Sequence, residues 1–219
     1  RNLCVAYCVN GVKNLSSFNT IKSAGYFEET EKRSKFISYC FPVNSESEAA
    51  DIIKKIKSDH PNARHHVYAY LINGVSERYS DDGEPSGTGG LPILNAIKSA
   101  NLSNVLVVVV RYFGGILLGT GGLRKMYGSG ASNVLNTCES VEMILCSRIR
   151  LDVDYNMYSK FISVISKYGA KVISHNYSEK IEIEFLIKKE LVERLQKELS
   201  DIFKKDKVFE ILKEEYCAL

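Results

Sequence analysis

The sequence of 219 residues predicts an α+β fold divided into two domains. Strand-length apolar runs alternate with amphipathic helical segments up to residue 146, the composition changes near Ser147, and a short regular βαββαβ order follows. A content of 45% hydrophobic and 25% charged residues is that of an ordinary globular protein. We therefore expect an N-terminal extension over residues 1–19, a β-α-β-α domain over residues 20–146 and a second domain over residues 147–219.

The first domain opens with a predicted β-hairpin. A short strand leads into a charged turn over residues 28–33, and residues 35–43 are rich in the aromatic and β-branched side chains that strands favour. Ser45 followed by Glu48 resembles a capping box, in which each residue satisfies an unpaired backbone N–H at a helix start. A helix is therefore predicted to begin here and to end before Pro61.

The remainder of the first domain is predicted as a hairpin, a helix, a strand and a helix. Asn73-Gly74 favours a tight turn between the strands of a hairpin over residues 65–80. Pro92 suits the first turn of a helix with Ile93, Ile97 and Ala100 facing inward. Residues 105–113, VLVVVVRYF, show no polar alternation and predict a strand that is covered on both faces. A last helix is predicted from Leu123, with an inward stripe of Leu123, Met126, Gly130 and Val134.

The second domain gives the clearest pattern of the chain. After Ser147 the sequence reads as a strand, a helix, two strands, a helix and a strand, and Ile181, Ile183, Phe185 and Ile187 place an apolar side chain at every second position of the third strand. This is the split βαβ order of ferredoxin-like domains, so a ferredoxin-like βαββαβ domain is predicted.

Residues 81–124 hold nine of the fifteen glycines and two copies of the pentapeptide GTGGL. Each copy precedes a predicted helix, and free N–H groups at a helix start attract anions. Only the second copy is followed by basic residues. A ligand or anion site is therefore predicted from Arg111, Tyr112, Gly114, Gly115, Gly119, Thr120, Gly121, Gly122, Arg124 and Lys125. Close packing of a helix on a strand, with the basic side chains solvated, is the alternative reading of the same residues.

An acidic loop is predicted to form the adjoining wall of this site. Its residues would be His65, Asp81, Asp82, Glu84 and Ser86. Asp and Ser oxygens often bond backbone N–H groups in turns, which favours a loop-shaping role. As an alternative, Asp81, Asp82 and Glu84 would supply the carboxylate oxygens that Mg²⁺ prefers.

Arg111 ends the strand that is predicted to be buried. A charge there is costly unless it is paired, and Asp81 or Glu84 is the expected partner. A guanidinium left exposed for phosphate is the competing interpretation. The neighbouring Tyr112 and Phe113 are candidates for stacking on bases, and one of the two is expected to lie in the core.

Nucleophilic catalysis, a resident cofactor and a membrane span are not expected. Ser86 lies in GEPSGTG, which lacks the G-x-S-x-G elbow. The six cysteines form no C-x-x-C pair, which favours reduced thiols in a cytoplasmic protein. No apolar run approaches about 20 residues, and the apolar patch over residues 3–9 lacks the flanks of a signal peptide. The net charge of +3 is small, so nucleic-acid binding would require a local basic patch.

Four stretches of the sequence resemble the YigZ/IMPACT family. They are EKRSKFISY (31–39), the His-x-x-x-Ala-Tyr of HHVYAY (65–70), DDGEPSGTGGLPIL (81–94) and VVVVRYFGGILLGTGGLRKMYG (107–128). The resemblance, which extends over residues 20–219, implies a first domain similar to domain IV of elongation factor G and a ferredoxin-like second domain similar to its domain V. Many relatives have a cysteine where this chain has Val67, so no thiol function is carried over to that position.

The resemblance implies a non-enzymatic cytoplasmic protein that binds RNA, the ribosome or a translation-associated protein. Eukaryotic members of the family carry an additional RWD domain, to which no segment of this sequence corresponds, so their regulatory mechanism is not expected here. Two rival hypotheses remain open. One is an Mg²⁺-dependent enzyme acting on phosphorylated or nucleotide substrates through Asp81, Asp82 and Glu84. The other is a protein–protein regulatory module with an exposed apolar patch beside the glycine-rich loops.

Overall fold

The computed structural model describes residues 7–8, 16–73 and 76–219, which form two compact α+β units. One unit consists of residues 18–142, and the other contains residues 143–219 together with the described part of the first 17 residues. The predicted α+β class is therefore confirmed. The domain limits proposed from the sequence, 20–146 and 147–219, stay a prediction about which parts fold independently.

Eleven strands and five α-helices are present in the described part of the chain. In chain order they are β1 (Tyr7–Cys8), β2 (Ser17–Ile21), β3 (Gly25–Glu31), β4 (Ser34–Pro42), α1 (Glu46–Asp59), β5 (His65–Ile72), β6 (Ser76–Ser80), α2 (Gly90–Ser99), β7 (Val105–Tyr112), α3 (Gly119–Asn136), β8 (Ser140–Val153), α4 (Tyr158–Lys167), β9 (Lys171–Tyr177), β10 (Ile181–Lys188), α5 (Val192–Phe203) and β11 (Glu210–Cys217).

The first unit is built on a sheet with the strand order β3-β4-β7-β5-β6, in which all neighbours are antiparallel. Helix α1 covers one face and helices α2 and α3 cover the other, so side chains of β7 are buried on both sides. Val107 and Val109 face α2 and α3, whereas Val108 and Val110 face α1. The continuous apolar run of β7 is thus explained by its central position.

Helix α1 begins with the predicted capping box. The Ser45 side chain accepts a hydrogen bond from the Glu48 N–H at 3.1 Å, and the Glu48 carboxylate accepts from the Asn44 N–H at 2.7 Å. One of the N–H groups that a helix start leaves unpaired, that of Glu48, is satisfied by Ser45, whereas the Glu48 carboxylate binds the N–H of the residue before the cap and not that of Ser45 itself. Ala49 and Ile56 are buried on the inward face, which orients the helix on the sheet.

The first hairpin differs from its prediction. The turn contains only Lys32 and Arg33, both with positive φ (46° and 65°), and not the whole segment 28–33. Residues 28–31 instead continue β3, because charged side chains suit an exposed strand and Glu28 pairs with Lys35 on β4 at 2.9 Å. The second predicted hairpin is confirmed by the pairing of β5 with β6, while Gly74 of its turn lies outside the described residues.

Both glycine-rich pentapeptides enter helices instead of preceding them. Helix α3 begins at Gly119 and not at Leu123, and α2 begins at Gly90, inside the first copy. Glycine costs little in a first helical turn, where few intrahelical hydrogen bonds depend on it. The predicted inward stripe of α3 is confirmed as Leu123, Met126, Gly130 and Val134. The inward position expected for Ala100 is wrong, since Ala100 follows the last turn of α2 and is exposed, and Leu94 is buried instead.

The second unit has the strand order β11-β8-β10-β9, with all neighbours antiparallel, and β1 pairs with β11 at its edge. Helices α4 and α5 bury Phe161, Leu195 and Leu199 against one face of this sheet. The arrangement confirms the predicted ferredoxin-like βαββαβ domain. No helix of the described residues is long and apolar enough to cross a membrane.

Candidate functional site

Asp81 binds the start of α2 with its carboxylate. Its Oδ1 accepts hydrogen bonds from the N–H groups of Gly89 and Gly90 at 2.9 and 2.8 Å, and its Oδ2 accepts from Gly87 at 2.8 Å. Burial alone would raise the pKa of Asp81, but these three N–H donors together lower it below its usual value. The first glycine-rich pentapeptide therefore already holds an anion, and that anion belongs to the protein itself.

Asp82 connects the acidic loop to β5 and α1. Its carboxylate accepts from the backbone N–H of His66 at 2.7 Å and from the Lys57 ammonium at 2.8 Å. Burial raises the pKa of Asp82, but the hydrogen bonds from Lys57 and His66 outweigh it and lower the pKa overall. The carbonyl oxygen of Asp82 accepts from the His65 Nδ1 at 2.8 Å, so His65 holds the loop as well.

Glu84, Arg111 and Tyr127 form a buried cluster at the centre of the site. The Arg111 Nη1 and the Tyr127 hydroxyl both donate to Glu84 Oε1, at 2.6 and 2.8 Å. The Arg111 and Glu84 side chains are only 5% and 4% exposed. Burial and the neighbouring Glu84 carboxylate raise the pKa of Tyr127, which keeps its hydroxyl protonated as a donor. The ion pair expected for Arg111 is present, with Glu84 as the partner.

Two of the residues predicted to bind a ligand, Arg111 and Tyr112, have partners inside the first unit. Arg111 lies in the ion pair, with its guanidinium also over the rings of Phe36 and Phe113. Tyr112 is the next residue of β7 and so faces α1, where its hydroxyl bonds His60 Nδ1 at 2.8 Å. Partners inside the unit thus occupy both side chains, and direct contact of Arg111 and Tyr112 with a ligand stays a prediction.

The three carboxylates of the Mg²⁺ alternative are directed at different groups of the protein. Asp81 binds backbone N–H groups, Asp82 binds Lys57, and Glu84 binds Arg111. Within residues 16–73 and 76–219, no group of three or more His, Cys, Asp or Glu side chains is arranged to hold a metal ion. The hydrogen bonds of Asp81 and Asp82 hold the acidic loop in its described conformation, and Ser86 is exposed at its tip.

The loop between β7 and α3 presents the exposed residues of the site. Phe113 is 38% exposed and Leu117 is 81% exposed, while Gly115 and Gly119 have positive φ values of 85° and 72°. Gly114 lies against the β3–β4 turn, since a Cβ at this position would meet the Arg33 carbonyl carbon at 2.0 Å. The loop therefore follows a path that only glycine permits at that contact.

Five basic side chains lie in segments next to this loop, and we call them the basic rim: Lys32 and Arg33 in the β3–β4 turn that contacts Gly114, Arg64 just before β5, and Arg124 and Lys125 in α3. The Arg64 guanidinium lies 5.7 Å from the centre of the Phe113 ring, and Arg124 Nε donates to the Gly87 carbonyl at 3.3 Å. All five are exposed, and none takes part in an ion pair within the part of the chain that the structure describes. The rim is a local basic patch in a unit whose bulk charge is balanced.

The predicted site residues at the surface are Gly114, Gly115, Gly119, Thr120, Gly121, Gly122, Arg124 and Lys125, which the structure places along the loop and the first turns of α3. Sequence reasoning missed Lys32, Arg33 and Arg64, because strand pairing brings them here from 50 to 80 residues away in the chain. The one available signal was that Lys32 and Arg33 belong to the first stretch resembling the family.

His60 gives the unit a predicted pH dependence. Its ring nitrogens bond the hydroxyls of Tyr39 and Tyr112 at 2.9 and 2.8 Å, and burial together with nearby His66 lowers its pKa. As the pH falls below about 6.5, His60 therefore binds a proton in the unfolded chain at a higher pH than in the folded protein. The free energy of unfolding has its full value above that pH and is expected to decrease below it. Urea unfolding at pH 7.5 and 5.5 measures the loss, which His60→Gln should reduce. An NMR titration showing a pKa of 6.5 or above for His60 would contradict the explanation.

Two family matches cover most of the chain. Residues 32–135 match the Impact N-terminal domain, and residues 151–204 match a domain of unknown function, DUF1949. A solved structure described as the crystal structure of a hypothetical protein aligns with a TM-score of 0.63 and 27% identity, covering 91% of this chain and 98% of that chain. The fold described above is therefore shared by a protein of nearly the same extent.

Bacterial relatives match at high coverage. An IMPACT family member of Haemophilus influenzae is 38% identical over 184 residues, which are 82% of this chain and 89% of the relative. The IMPACT family member YvyE of Bacillus subtilis is 40% identical over 172 residues, or 78% of this chain and 79% of the relative. YigZ of Escherichia coli is 32% identical, covering 68% and 75% of the two chains. The chain therefore belongs to the IMPACT family.

Proposed function

We propose that the first unit binds RNA, free or within the ribosome, through the basic rim and Phe113. The observation that carries the proposal is the basic rim, five exposed side chains without an ion pair among the described residues, together with the exposed Phe113 ring, which lies 5.7 Å from the Arg64 guanidinium. Lysine and arginine side chains that neutralise phosphates supply most of the affinity of such contacts. An exposed aromatic ring adds a stacking platform for a base that does not depend on sequence.

The start of α3 supports RNA binding on this same surface. No side-chain hydrogen bond caps this helix, and its first turn contains no acidic residue. The start of α2, by contrast, is occupied by the Asp81 carboxylate. A phosphate at the α3 start would find the same kind of N–H donors that Asp81 finds at α2, with Arg124 and Lys125 close by in the chain.

The sheet face of the second unit that is turned away from its helices offers little uncompensated positive charge to a polyanion. On the sheet face away from α4 and α5, Arg148 pairs with Glu215 at 2.7 Å and with Glu184 at 3.5 Å, and Arg150 pairs with Glu210 at 2.7 Å. Carboxylates thus neutralise these arginines, so the strands of this sheet supply little attraction for phosphate. The proposal accordingly assigns RNA binding to the first unit. A cytoplasmic location belongs to the same proposal.

A protein partner is the second candidate, and one observation favours it. Ile116 and Leu117 are 41% and 81% exposed in the loop between β7 and α3. Adjacent exposed apolar side chains rimmed by charged residues are typical of contact sites for other proteins. A translation-associated protein would engage these two residues, whereas RNA would engage the basic rim.

Binding of a labelled single-stranded RNA, measured by fluorescence anisotropy between about 50 and 300 mM KCl, tests the proposal. We expect Arg124→Glu to weaken binding by about tenfold at low salt and to reduce the salt slope by about one. Phe113→Ala should weaken binding by about fivefold or more through lost stacking. Co-sedimentation of the same variants with ribosomes, over the same range of salt, extends the test to structured RNA.

Lys55→Glu is the matched control, because it makes the same change of charge on α1, on the opposite face of the sheet. If Lys55→Glu and Arg124→Glu weaken RNA binding equally, the surface assignment is wrong. Binding without any salt dependence would also reject it. Leu117→Ser separates the two candidates, since it should leave RNA binding unchanged and reduce the capture of a protein partner.

A further inference from the structure

Cys40 and Cys138 bring two thiols together from distant parts of the first unit. Their sulfur atoms are 3.1 Å apart although 98 residues separate them in the chain. Cys40 lies on β4 and is fully buried, whereas Cys138 follows the end of α3 and is partly exposed. Helix α3 packs on β4, so the two sulfurs meet at a contact between packed elements and not in a loose surface loop.

Gly25 makes the space in which these sulfurs meet. It lies opposite Cys40 in the pairing of β3 with β4. A Cβ at position 25 would lie 2.5 Å from the Cys138 sulfur and 2.9 Å from the Cys40 sulfur. Any other residue would push both sulfurs out of their positions, whereas glycine leaves them in contact. The site therefore depends on three residues from three elements, which distinguishes it from an isolated buried cysteine.

We propose that Cys40 and Cys138 form an oxidisable dithiol, which small-molecule disulfides of the glutathione type convert into an intramolecular disulfide. The reaction has two balanced steps. The Cys138 thiolate attacks one sulfur of the disulfide RSSR, forming a mixed disulfide and releasing RS⁻, which takes up a proton. The Cys40 sulfur then attacks the Cys138 sulfur, displaces the second RS⁻ and passes its proton to it. The products are the protein disulfide and two RSH.

The order of the steps follows from the surroundings of the two thiols. Burial and the hydrogen bond with Cys138 raise the pKa of Cys40 well above its usual value, so Cys40 is a poor first nucleophile. Solvent reaches only Cys138, which is the member that a small disulfide can contact. Cys40 then acts at a distance already shorter than that of an ordinary contact between sulfur atoms.

The disulfide would join β4 to the C-terminal end of α3. It would close a loop of about 98 residues, and cross-links of that size restrict the unfolded chain strongly. The oxidised first unit is therefore expected to melt about 5–10 °C above the reduced one. This inference is independent of RNA binding, since neither cysteine belongs to the basic rim.

The test uses the reduced full-length chain incubated with glutathione disulfide under native conditions. After alkylation of the remaining thiols and proteolysis, mass spectrometry should find the Cys40 and Cys138 peptides joined to each other. Cys40→Ser should instead accumulate the glutathione adduct on Cys138, because the second thiol is missing. Cys138→Ser should leave Cys40 unmodified.

Cys146→Ser is the matched control, a buried cysteine of the other unit whose loss should not change the Cys40–Cys138 link. Gly25→Ala should slow formation of the link, with circular dichroism checking that the variant is folded. A wild-type chain that accumulates only the glutathione adduct on Cys138 would overturn the proposal. The same holds if neither thiol reacts before the protein unfolds, or if oxidation leaves the melting temperature unchanged.

Discussion

Replacing Glu84 by glutamine is expected to lower the free energy of unfolding of the first unit by about 3–5 kcal/mol. Glutamine keeps a carbonyl oxygen in nearly the same place, so the Tyr127 hydroxyl still finds an acceptor. The Arg111 guanidinium, however, loses its counter-ion where it is only 5% exposed. An uncompensated buried charge is among the most destabilising single changes in a protein.

Urea unfolding followed by circular dichroism gives the measurement, and Glu77→Gln is its matched control. Glu77 pairs with Lys98 at 2.7 Å, but these side chains are 51% and 46% exposed. Removal of such a surface partner is expected to change stability by less than about 1 kcal/mol. In the double variant Glu84→Gln with Arg111→Met, part of the loss should be recovered because no unpaired charge remains. Equal effects of Glu84→Gln and Glu77→Gln would show that the buried pair is not a structural centre.

The second large effect is expected for Asp81→Asn, which should destabilise the first unit by about 2–3 kcal/mol. One oxygen of the carboxylate accepts from Gly89 and Gly90, and the other accepts from Gly87. Asparagine has a single side-chain oxygen, which can accept either from Gly89 and Gly90 or from Gly87, but not from both. Its NH₂ group then faces an N–H donor that has no acceptor, and the charge that favours the helix start is lost as well.

The pH profile gives Asp81→Asn a distinctive signature. The folded pKa of Asp81 is lowered, so its contribution is present above the unfolded value of about 3.9 and is lost as the pH falls through the folded value. The destabilisation by asparagine should therefore be greatest near neutral pH and shrink in acid. Ser86→Ala, at an exposed position of the same loop, should stay within about 0.5 kcal/mol of the wild type at every pH. A constant difference between Asp81→Asn and the wild type down to pH 2 would refute the assigned role of the carboxylate.

Much of the fold was predictable because local patterns and burial agree. Local spacing alone is enough to predict three features: the Ser45 cap of α1, the apolar side chains at every second position over residues 181–187, and the inward stripe of α3. The turn of the first hairpin was misjudged because charged residues suit both a turn and an exposed strand. The start of α3 was placed too late because glycine at a helix entrance resembles glycine in a loop.

The candidate site was less predictable because long-range pairing builds it. Arg64 lies beside Phe113 only because β5 pairs with β7, and Arg33 lies beside Gly114 only because β4 does. Alternation along a strand shows that Arg111 and Tyr112 point to opposite faces, but not which face carries the site. The contact between Cys40 and Cys138 depends in the same way on elements that are far apart in the sequence.

The contact between Gly114 and the β3–β4 turn sets a limit on how this chain can be altered. Exposed hairpin turns are usually places where a protein accepts inserted residues or a tag. Here the Arg33 backbone leaves no room for even one additional carbon atom at position 114. A longer turn between Lys32 and Arg33 would displace the neighbouring loop and carry Phe113 with it. The tolerance of this turn for inserted residues is therefore expected to be limited by a segment 81 residues further along the chain.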